Sequence, residues 1–270
     1  MKAKAIFITG GGSGIGRATA HYFAARGWFI GLADINIAGM AETAALLPAG
    51  MSSQHRLDVR DRERWPAALA EFAAASGGRM DVLFNNAGIG VGGRIADMPL
   101  EDADRVIAIN LTGVINGIHF ALPLLKGTPG AVILSTCSAA GIYGSAGLSV
   151  YSATKFAVRA LTEALDIELA PDGIRVRDLM PGFIDTPLLD TVSPGSNITS
   201  REAVREAGLE FTPVEQVAAA AWNAVHDGPL HTPVGPTAKR LAFAARWMPG
   251  RIRRMMKGRA GSDRPTLLGR

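Results

Sequence analysis

"AIFITGGGSGIGRATAHYFAARGWFIGLAD" (residues 5–34) decides the fold. A short apolar run, "AIFIT" (5–9), meets a cluster of glycines; an amphipathic segment, "GIGRATAHYFAARG" (14–27), follows and ends on glycine; a second apolar run, "WFIGLAD" (28–34), closes the unit. Apolar runs of this length bounded by turn residues read as strands, and the longer segment between them as a helix. Two strands joined through a helix run parallel. The first quarter of the unit is therefore strand, tight turn, helix start.

The same alternation continues along the chain. Helical periodicity covers 36–47, 61–76, 100–125 and 151–169, and strand-like runs cover 52–59, 80–88, 130–138 and 174–182. Nearly continuous apolar strands belong to a sheet covered on both faces. The expected architecture is α/β: one Rossmann-type, doubly wound parallel sheet with right-handed crossovers and helices on both faces. That domain spans 1–235, with the stretch 183–212, rich in Pro, Ser and Gly and poor in periodicity, expected as a mobile loop. A basic helical extension, 236–270, follows it.

The bulk numbers fit one large domain: 270 residues, 48% hydrophobic and 19% charged. A lone cysteine, Cys137, excludes an internal disulfide. The apolar run after the N-terminal lysines is too short for an export signal, and no uninterrupted apolar stretch has transmembrane length. A cytoplasmic protein is expected. The net charge of +4 hides an asymmetry: residues 237–270 carry ten Lys/Arg and one acid, and the remainder 18 basic and 23 acidic groups. The body is mildly acidic, so the overall basicity does not point to nucleic acid. The five histidines show no metal-ligand spacing, and no metal is expected.

Three motifs carry chemistry. In "TGGGSGIG" (9–16), Gly10, Gly14 and Gly16 suit a tight turn that brings backbone N–H groups and a helix N-terminus to a pyrophosphate. Asp34, at the end of the second strand, can accept from a ribose 2′-hydroxyl and repel a 2′-phosphate; its bland alternative is a helix N-cap. No basic residue stands at Ser13 or Ile35, although Arg17 is close, so NAD is favoured over NADP. In "YSATK" (151–155), Tyr151 and Lys155 share a helix face; taken alone, the pentapeptide is better read as an exposed aromatic beside a solvated charge.

Taken with "NNAG" (85–88), Asn110 in "IAIN", Ser138 and "PGFIDT" (181–186), these motifs resemble, in order and spacing, the shorter-chain branch of the short-chain dehydrogenase/reductase superfamily over about residues 4–187. The resemblance implies an NAD-dependent oxidoreductase interconverting a secondary alcohol and its ketone by hydride transfer, with Asn110, Ser138, Tyr151 and Lys155 as the catalytic set. Tyr151 would move the proton. A free tyrosine has a pKa of about 10, and an ammonium about 4 Å away contributes on the order of 4 kcal/mol at an effective dielectric of about 20. Lys155 is thus expected to lower the phenol by two or three pKa units and also to hold the nicotinamide ribose. Family spacing selects Ser138 over Ser135 and Thr136 as the group binding the substrate oxygen. Asn110 would kink the long helix and hold a relay water.

The resemblance further implies cofactor contacts from Gly10, Ser13, Gly14, Ile15 and Gly16 at the turn and from Asp34 at the ribose. Asp58 and Val59 would meet the adenine, and Asn85, Ala87 and Gly88 its ribose. Pro181, Gly182, Ile184 and Thr186 would lie at the nicotinamide. Phe183, Leu188, Leu189 and Val192 suggest a hydrophobic alcohol or ketone substrate. Where many members of the family end on a glycine-rich strand, this chain has "LHTPVGPTAKRLAFAARWMPGRIRRMMKGR" (230–259). A homodimer through the helices at 100–125 and 151–169 is therefore preferred to a homotetramer. Residues 237–258, broken at Pro249–Gly250, read either as a helix over the substrate pocket with a solvated basic face or as a membrane-surface anchor. Competing functions are an NAD-binding regulator without turnover, an NADP-preferring carbonyl reductase and a nucleotide-sugar epimerase or dehydratase.

Overall fold

The six strand-like runs, with a seventh segment near residue 231, form a single parallel sheet in the computed structural model, which describes residues 3–192 and 197–260. The strands are β1 (Ala5–Thr9), β2 (Phe29–Asp34), β3 (Ser52–Arg56), β4 (Val82–Asn85), β5 (Val132–Thr136), β6 (Arg175–Pro181) and β7 (His231–Val234). Their order is β3-β2-β1-β4-β5-β6-β7, every neighbour parallel. The order reverses between β1 and β4, and the crevice beyond their C-terminal ends is where a doubly wound sheet binds its ligand.

Alternation along each strand builds two cores. Phe7, Leu83, Ile133 and Val176 face one side of the sheet, under α3 (Arg64–Ser76), α5 (Gly113–Lys126) and α6 (Ser149–Glu168). Ile6, Ile8, Phe84 and Leu134 face the other, with α1 (Gly14–Ala24), α2 (Ile37–Ala45) and α8 (Val214–His226). Between α1 and α8, Phe23, Trp28 and Trp222 make edge-to-face contacts with centroids 5.1–5.8 Å apart.

Several boundaries differ from the sequence reading for identifiable reasons. The third strand stops at Arg56, short of the expected residue 59, because the Asp58 carboxylate accepts from Arg60 N–H and turns the chain. The helix expected over 100–125 contains a π-helical turn at Ala108–Thr112, joining α4 (Leu100–Ile107) to α5. The whole Leu100–Lys126 helix is long and apolar enough, by length and mean hydropathy, to cross a membrane, although Asn110, Thr112, Asn116 and His119 interrupt its apolar run. Its apolarity is explained by burial: Val114, Ile118, Ala121 and Leu125 pack beneath the sheet.

The 183–212 segment, expected as an irregular loop, is partly structured. A 3₁₀ turn covers Pro187–Asp190, and α7 (Ser200–Glu206) begins with a capping box between Thr199 and Glu202. Single bridges join Ile184 to Thr212 and Val192 to Thr199. Residues 193–196 of this segment, and 261–270 of the extension, lie outside the described residues. The tail forms α9 (Pro236–Trp247) and α10 (Pro249–Ala260), separated at Met248, with Pro249 opening α10 where its missing N–H costs nothing. Ala238, Leu241, Ala242 and Ala245 seat α9 on the core beside β7 and the turn at Ala139–Gly141.

Candidate active site

The turn after β1 needs its glycines. Gly10 and Gly14 have φ of 69° and 50°, in the left-handed region, and a Cβ on Gly16 would collide with the Gly10 carbonyl oxygen. Ser13 occupies the N-cap of α1, but its side chain caps nothing, and no acid sits in the first turn. Ile15 is the second residue of that first turn. The opening N–H groups of α1 therefore have no side-chain acceptor and suit an anion.

Asp34 closes β2. Its Oδ2 accepts from Gly12 N–H at 2.9 Å and its Oδ1 from Asn36 N–H at 2.9 Å. Asn36, not Asp34, is the N-cap of α2, accepting from Gly39 N–H, so capping does not account for the carboxylate. Arg17 is committed elsewhere: it donates to the Gly12 carbonyl (2.7 Å), Thr43 Oγ1 (3.0 Å) and Glu42 Oε2 (2.7 Å). The glycine cradle and this carboxylate fit a dinucleotide.

The remaining expected cofactor residues are placed unevenly. The Asp58 carboxylate pairs with Arg60 (2.6 Å), whose hydrogen bonds hold it below the usual carboxylate range. The Val59 side chain packs on Gly113, and its carbonyl accepts from Trp65 and Asn116, which leaves its N–H to offer. The Asn85 side chain is turned into the core against Gly117, where its Nδ2 finds no partner. A side-chain contact from Asn85 to a ribose is therefore incompatible with this arrangement; strand alternation points it to the helix side. Ala87 donates its N–H to Thr9 Oγ1, and Gly88 stands against Asn110 Oδ1. At the end of β6, Pro181 is buried, Gly182 N–H donates to the Val234 carbonyl, and Ile184 enters the core. Thr186 lies across the glycine turn, with Cγ2 3.2 Å from where a Gly14 Cβ would be.

Ser138, Tyr151, Lys155 and Asn110 converge at the ends of β4 and β5. Ser138 follows β5 and caps the short turn at Ala139–Gly141, accepting from Ala140 N–H at 3.1 Å; its hydroxyl also lies beside that of Tyr151. One serine is both strand-end cap and partner of the phenol. Lys155, one turn along α6, places its Nζ 5.6 Å from the Tyr151 ring centroid and donates to the Thr136 carbonyl at 2.8 Å. Asn110 sits at the middle of the π turn, fully buried, and clasps Ile89 with two 2.9 Å hydrogen bonds, one to its N–H and one to its carbonyl.

Electrostatics here run against the sequence expectation. Burial pushes the Tyr151 phenol up to about 12, the neighbouring Ser138 hydroxyl opposing it, and burial pulls the Lys155 ammonium down to about 8. Tyr151 keeps part of its ring at the surface, but its hydroxyl lies at depth. The expected lowering by Lys155 fails because the ammonium is directed to the Thr136 carbonyl, and desolvation is the largest influence on the phenol.

Sequence reasoning missed three groups. Asn86 donates to the Thr9 carbonyl (3.0 Å) and accepts from Thr136 Oγ1 (3.1 Å), tying together the ends of β1, β4 and β5. Thr9 Oγ1 accepts from the N–H groups of Asn86 and Ala87. Thr136, set aside in favour of Ser138, supplies the carbonyl that holds Lys155. The doubled asparagine of "NNAG" was the available signal.

The short chain dehydrogenase family model matches residues 4–197. The chain belongs to this family. It is 34% identical over 262 residues to an uncharacterized oxidoreductase, YxbG, of Bacillus subtilis, spanning 93% of this chain and 95% of that one. It is 35% identical over 189 residues to the cyclohexanol dehydrogenase of an Acinetobacter species, covering 69% and 75% of the two chains. Its fold matches a short chain dehydrogenase/reductase of Burkholderia phymatum solved in complex with NAD, at a TM-score of 0.82 and 27% identity over 94% of this chain and 95% of that one. This short-chain dehydrogenase is an oxidoreductase acting on CH–OH donors with a nicotinamide cofactor.

Proposed function

We propose that the protein is an NAD-dependent dehydrogenase/reductase interconverting a hydrophobic secondary alcohol and its ketone. The observation that carries this reading is the convergence of the Ser138 and Tyr151 hydroxyls, with the Lys155 ammonium 5.6 Å from the tyrosine ring centroid. A substrate oxygen inserted at that pair meets two hydroxyls. Ser138 orients it, and Tyr151 accepts the hydroxyl proton during oxidation or returns it during reduction. A bound nicotinamide supplies the hydride acceptor or donor. Because burial keeps the phenol protonated well above neutrality, Tyr151 is set up as the acid for ketone reduction at neutral pH; oxidation gains from alkaline pH.

NAD is supported over NADP by the Asp34 carboxylate at the ribose end and by the engagement of Arg17 with Gly12, Thr43 and Glu42. Gly10, Ser13, Gly14, Ile15, Gly16, Ala87, Gly88, Ile184 and Thr186 are assigned to the cofactor on position. Asp58 would have to share its carboxylate with Arg60 to reach an adenine amino group. A hydrophobic substrate is supported by Leu188 and Val192, exposed at 38% and 55% near the cleft, and by the name of the cyclohexanol-oxidising relative. A homodimer through α4–α5 and α6 is supported by exposed Ile107, Ile115, Phe156 and Ile167. The test is absorbance of the reduced nicotinamide with cyclic, aryl and linear secondary alcohols and ketones, NAD against NADP, for wild type and Tyr151→Phe. Turnover with NAD, lost in the variant while NAD still binds, is expected; an active Tyr151→Phe protein of intact fold overturns the assignment.

A further inference from the structure

The basic tail has no part in the chemistry above, yet its two helices are ordered on the body. Between residues 236 and 260 the sequence contains Lys and Arg but no Asp or Glu. Lys239, Arg240, Arg246, Arg251, Arg253, Arg254 and Lys257 are all exposed. Among the described residues only Arg240 finds a carboxylate, Glu210 at 3.1 Å. Interleaved with these cations are Phe243, Trp247 and Met255, exposed at 61%, 64% and 46%.

Helical spacing separates the two faces. Ala238, Leu241, Ala242 and Ala245 hold α9 to the core, and Ile252, 2% exposed, holds α10. Lys239, Phe243 and Trp247 recur at four-residue intervals on the outward side of α9. The Arg246 guanidinium lies 5.3 Å from the Trp247 ring centroid. An outward stripe combining aromatic rings and unpaired cations is the composition that seats in the headgroup region of an anionic bilayer.

We propose that α9 and α10 dock the protein on an anionic lipid surface, Phe243, Trp247 and Met255 entering the interface and the arginines lying among the headgroups. A second copy of the chain is the poorer occupant, because it would oppose one cationic array with another. Duplex nucleic acid would match the charge but leave the exposed rings in water. Docking would also serve a lipophilic substrate, a link that rests on the reaction proposed above: Arg240 reaches Glu210, and Gly235 abuts Thr212, both at the end of the 183–212 segment.

The test is flotation of the full chain with vesicles of neutral phosphatidylcholine, with and without about one-third phosphatidylglycerol. Binding is expected only to the anionic vesicles and should be lost at about 0.5 M salt, where screening is short-ranged. Each basic residue near the surface is worth about fivefold in partitioning, so Arg253→Gln with Arg254→Gln should weaken binding about 25-fold. Emission should shift to the blue on binding, and Trp247→Ala should both weaken partitioning and remove the shift, because Trp28 and Trp65 are buried and Trp222 packs against Phe23 and Trp28 between α1 and α8. The substituted side chains are exposed, and an unchanged unfolding midpoint confirms the fold. The proposal is overturned by an absence of flotation at low salt or by equal binding to neutral vesicles. It is likewise overturned if duplex DNA competes for a site indifferent to Trp247→Ala, or if that substitution changes the mass in light scattering. None of these readouts uses turnover, so they stand apart from the assignment of the reaction.

Discussion

Replacing Lys155 by methionine is expected to make the protein more stable while removing its activity. Lys155 is 5% exposed, and burial takes its pKa from the ordinary 10.5 to about 8. At 1.36 kcal/mol per pKa unit, holding the ammonium inside the fold at neutral pH costs about 3 kcal/mol. Methionine has similar length and no charge, so that cost disappears. Against it stands the hydrogen bond to the Thr136 carbonyl, 2.8 Å, whose loss costs about 1–2 kcal/mol when the acceptor stays buried. A net gain of about 1–2 kcal/mol is expected at pH 7.

The pH dependence identifies the cause. Below the folded pKa of about 8 the wild-type fold carries the full penalty. Between that value and 10.5 the unfolded chain holds the proton and the folded chain does not, so wild-type stability rises with pH and the advantage of the variant shrinks. Urea unfolding of both proteins at neutral pH and near pH 10 measures the difference directly. A Lys155→Met protein less stable than wild type at neutral pH, or a gap independent of pH, would refute the reasoning and recast Lys155 as a net structural anchor.

Two further predictions test the cofactor cleft. Asp34→Ser with Ile35→Arg should lower the NAD-to-NADP ratio of kcat/KM by at least about tenfold, by removing a repulsive carboxylate and adding a cation at an exposed position; an unchanged ratio in steady-state kinetics with both cofactors discards Asp34 as the selector. Arg201 ties α7 to the Thr186 carbonyl (3.0 Å), to Asp190 (2.9 Å) and to Asp185, and Thr186 lies across the glycine turn. Arg201→Ala should raise the KM for NAD about tenfold, equivalent to about 1.4 kcal/mol, with a smaller change in kcat, and Arg201→Lys should restore little because one ammonium cannot span three acceptors; an unaltered KM rules out the clamp.

What the sequence disclosed was whatever depends on neighbours along the chain. The glycine turn and the Tyr151–Lys155 spacing are set by backbone geometry within one or two turns, and each stands where the spacing placed it; the break expected at Pro249–Gly250 falls at Met248 instead, because proline is accommodated in the first turn of α10. Thr199 and Glu202 also formed a local, readable capping signal in a stretch read as loop. The π turn at Ala108–Thr112 was hidden because one extra residue in a helix barely disturbs the apolar pattern. Asn86 was passed over because its partners, Thr9 and Thr136, are far away in sequence and meet it only when three strands align. The Tyr151 titration was misjudged for a similar reason: charge can be counted along a sequence, but desolvation requires knowing what surrounds the hydroxyl.

The geometry of Lys155 explains why so costly a residue can be held in position. Its side chain donates to the Thr136 carbonyl, while its own backbone carbonyl accepts from the Cys137 thiol at 3.1 Å. Two consecutive residues at the end of β5 therefore grip one residue of α6 from both ends. Cys137 is fully buried, its thiol pushed up to about 12 by burial, so it acts as a small neutral donor and not as a nucleophile. A Cβ on Gly141 would stand 2.5 Å from that sulfur, so the turn after Ser138 has to close on a glycine to let the sulfur reach α6. Ser138, the next residue after Cys137, inherits its position from the same clamp. The placement of the Ser138 hydroxyl is thus set by packing one layer beneath it, and the penalty of burying an ammonium is partly offset by contacts that also align the reacting groups.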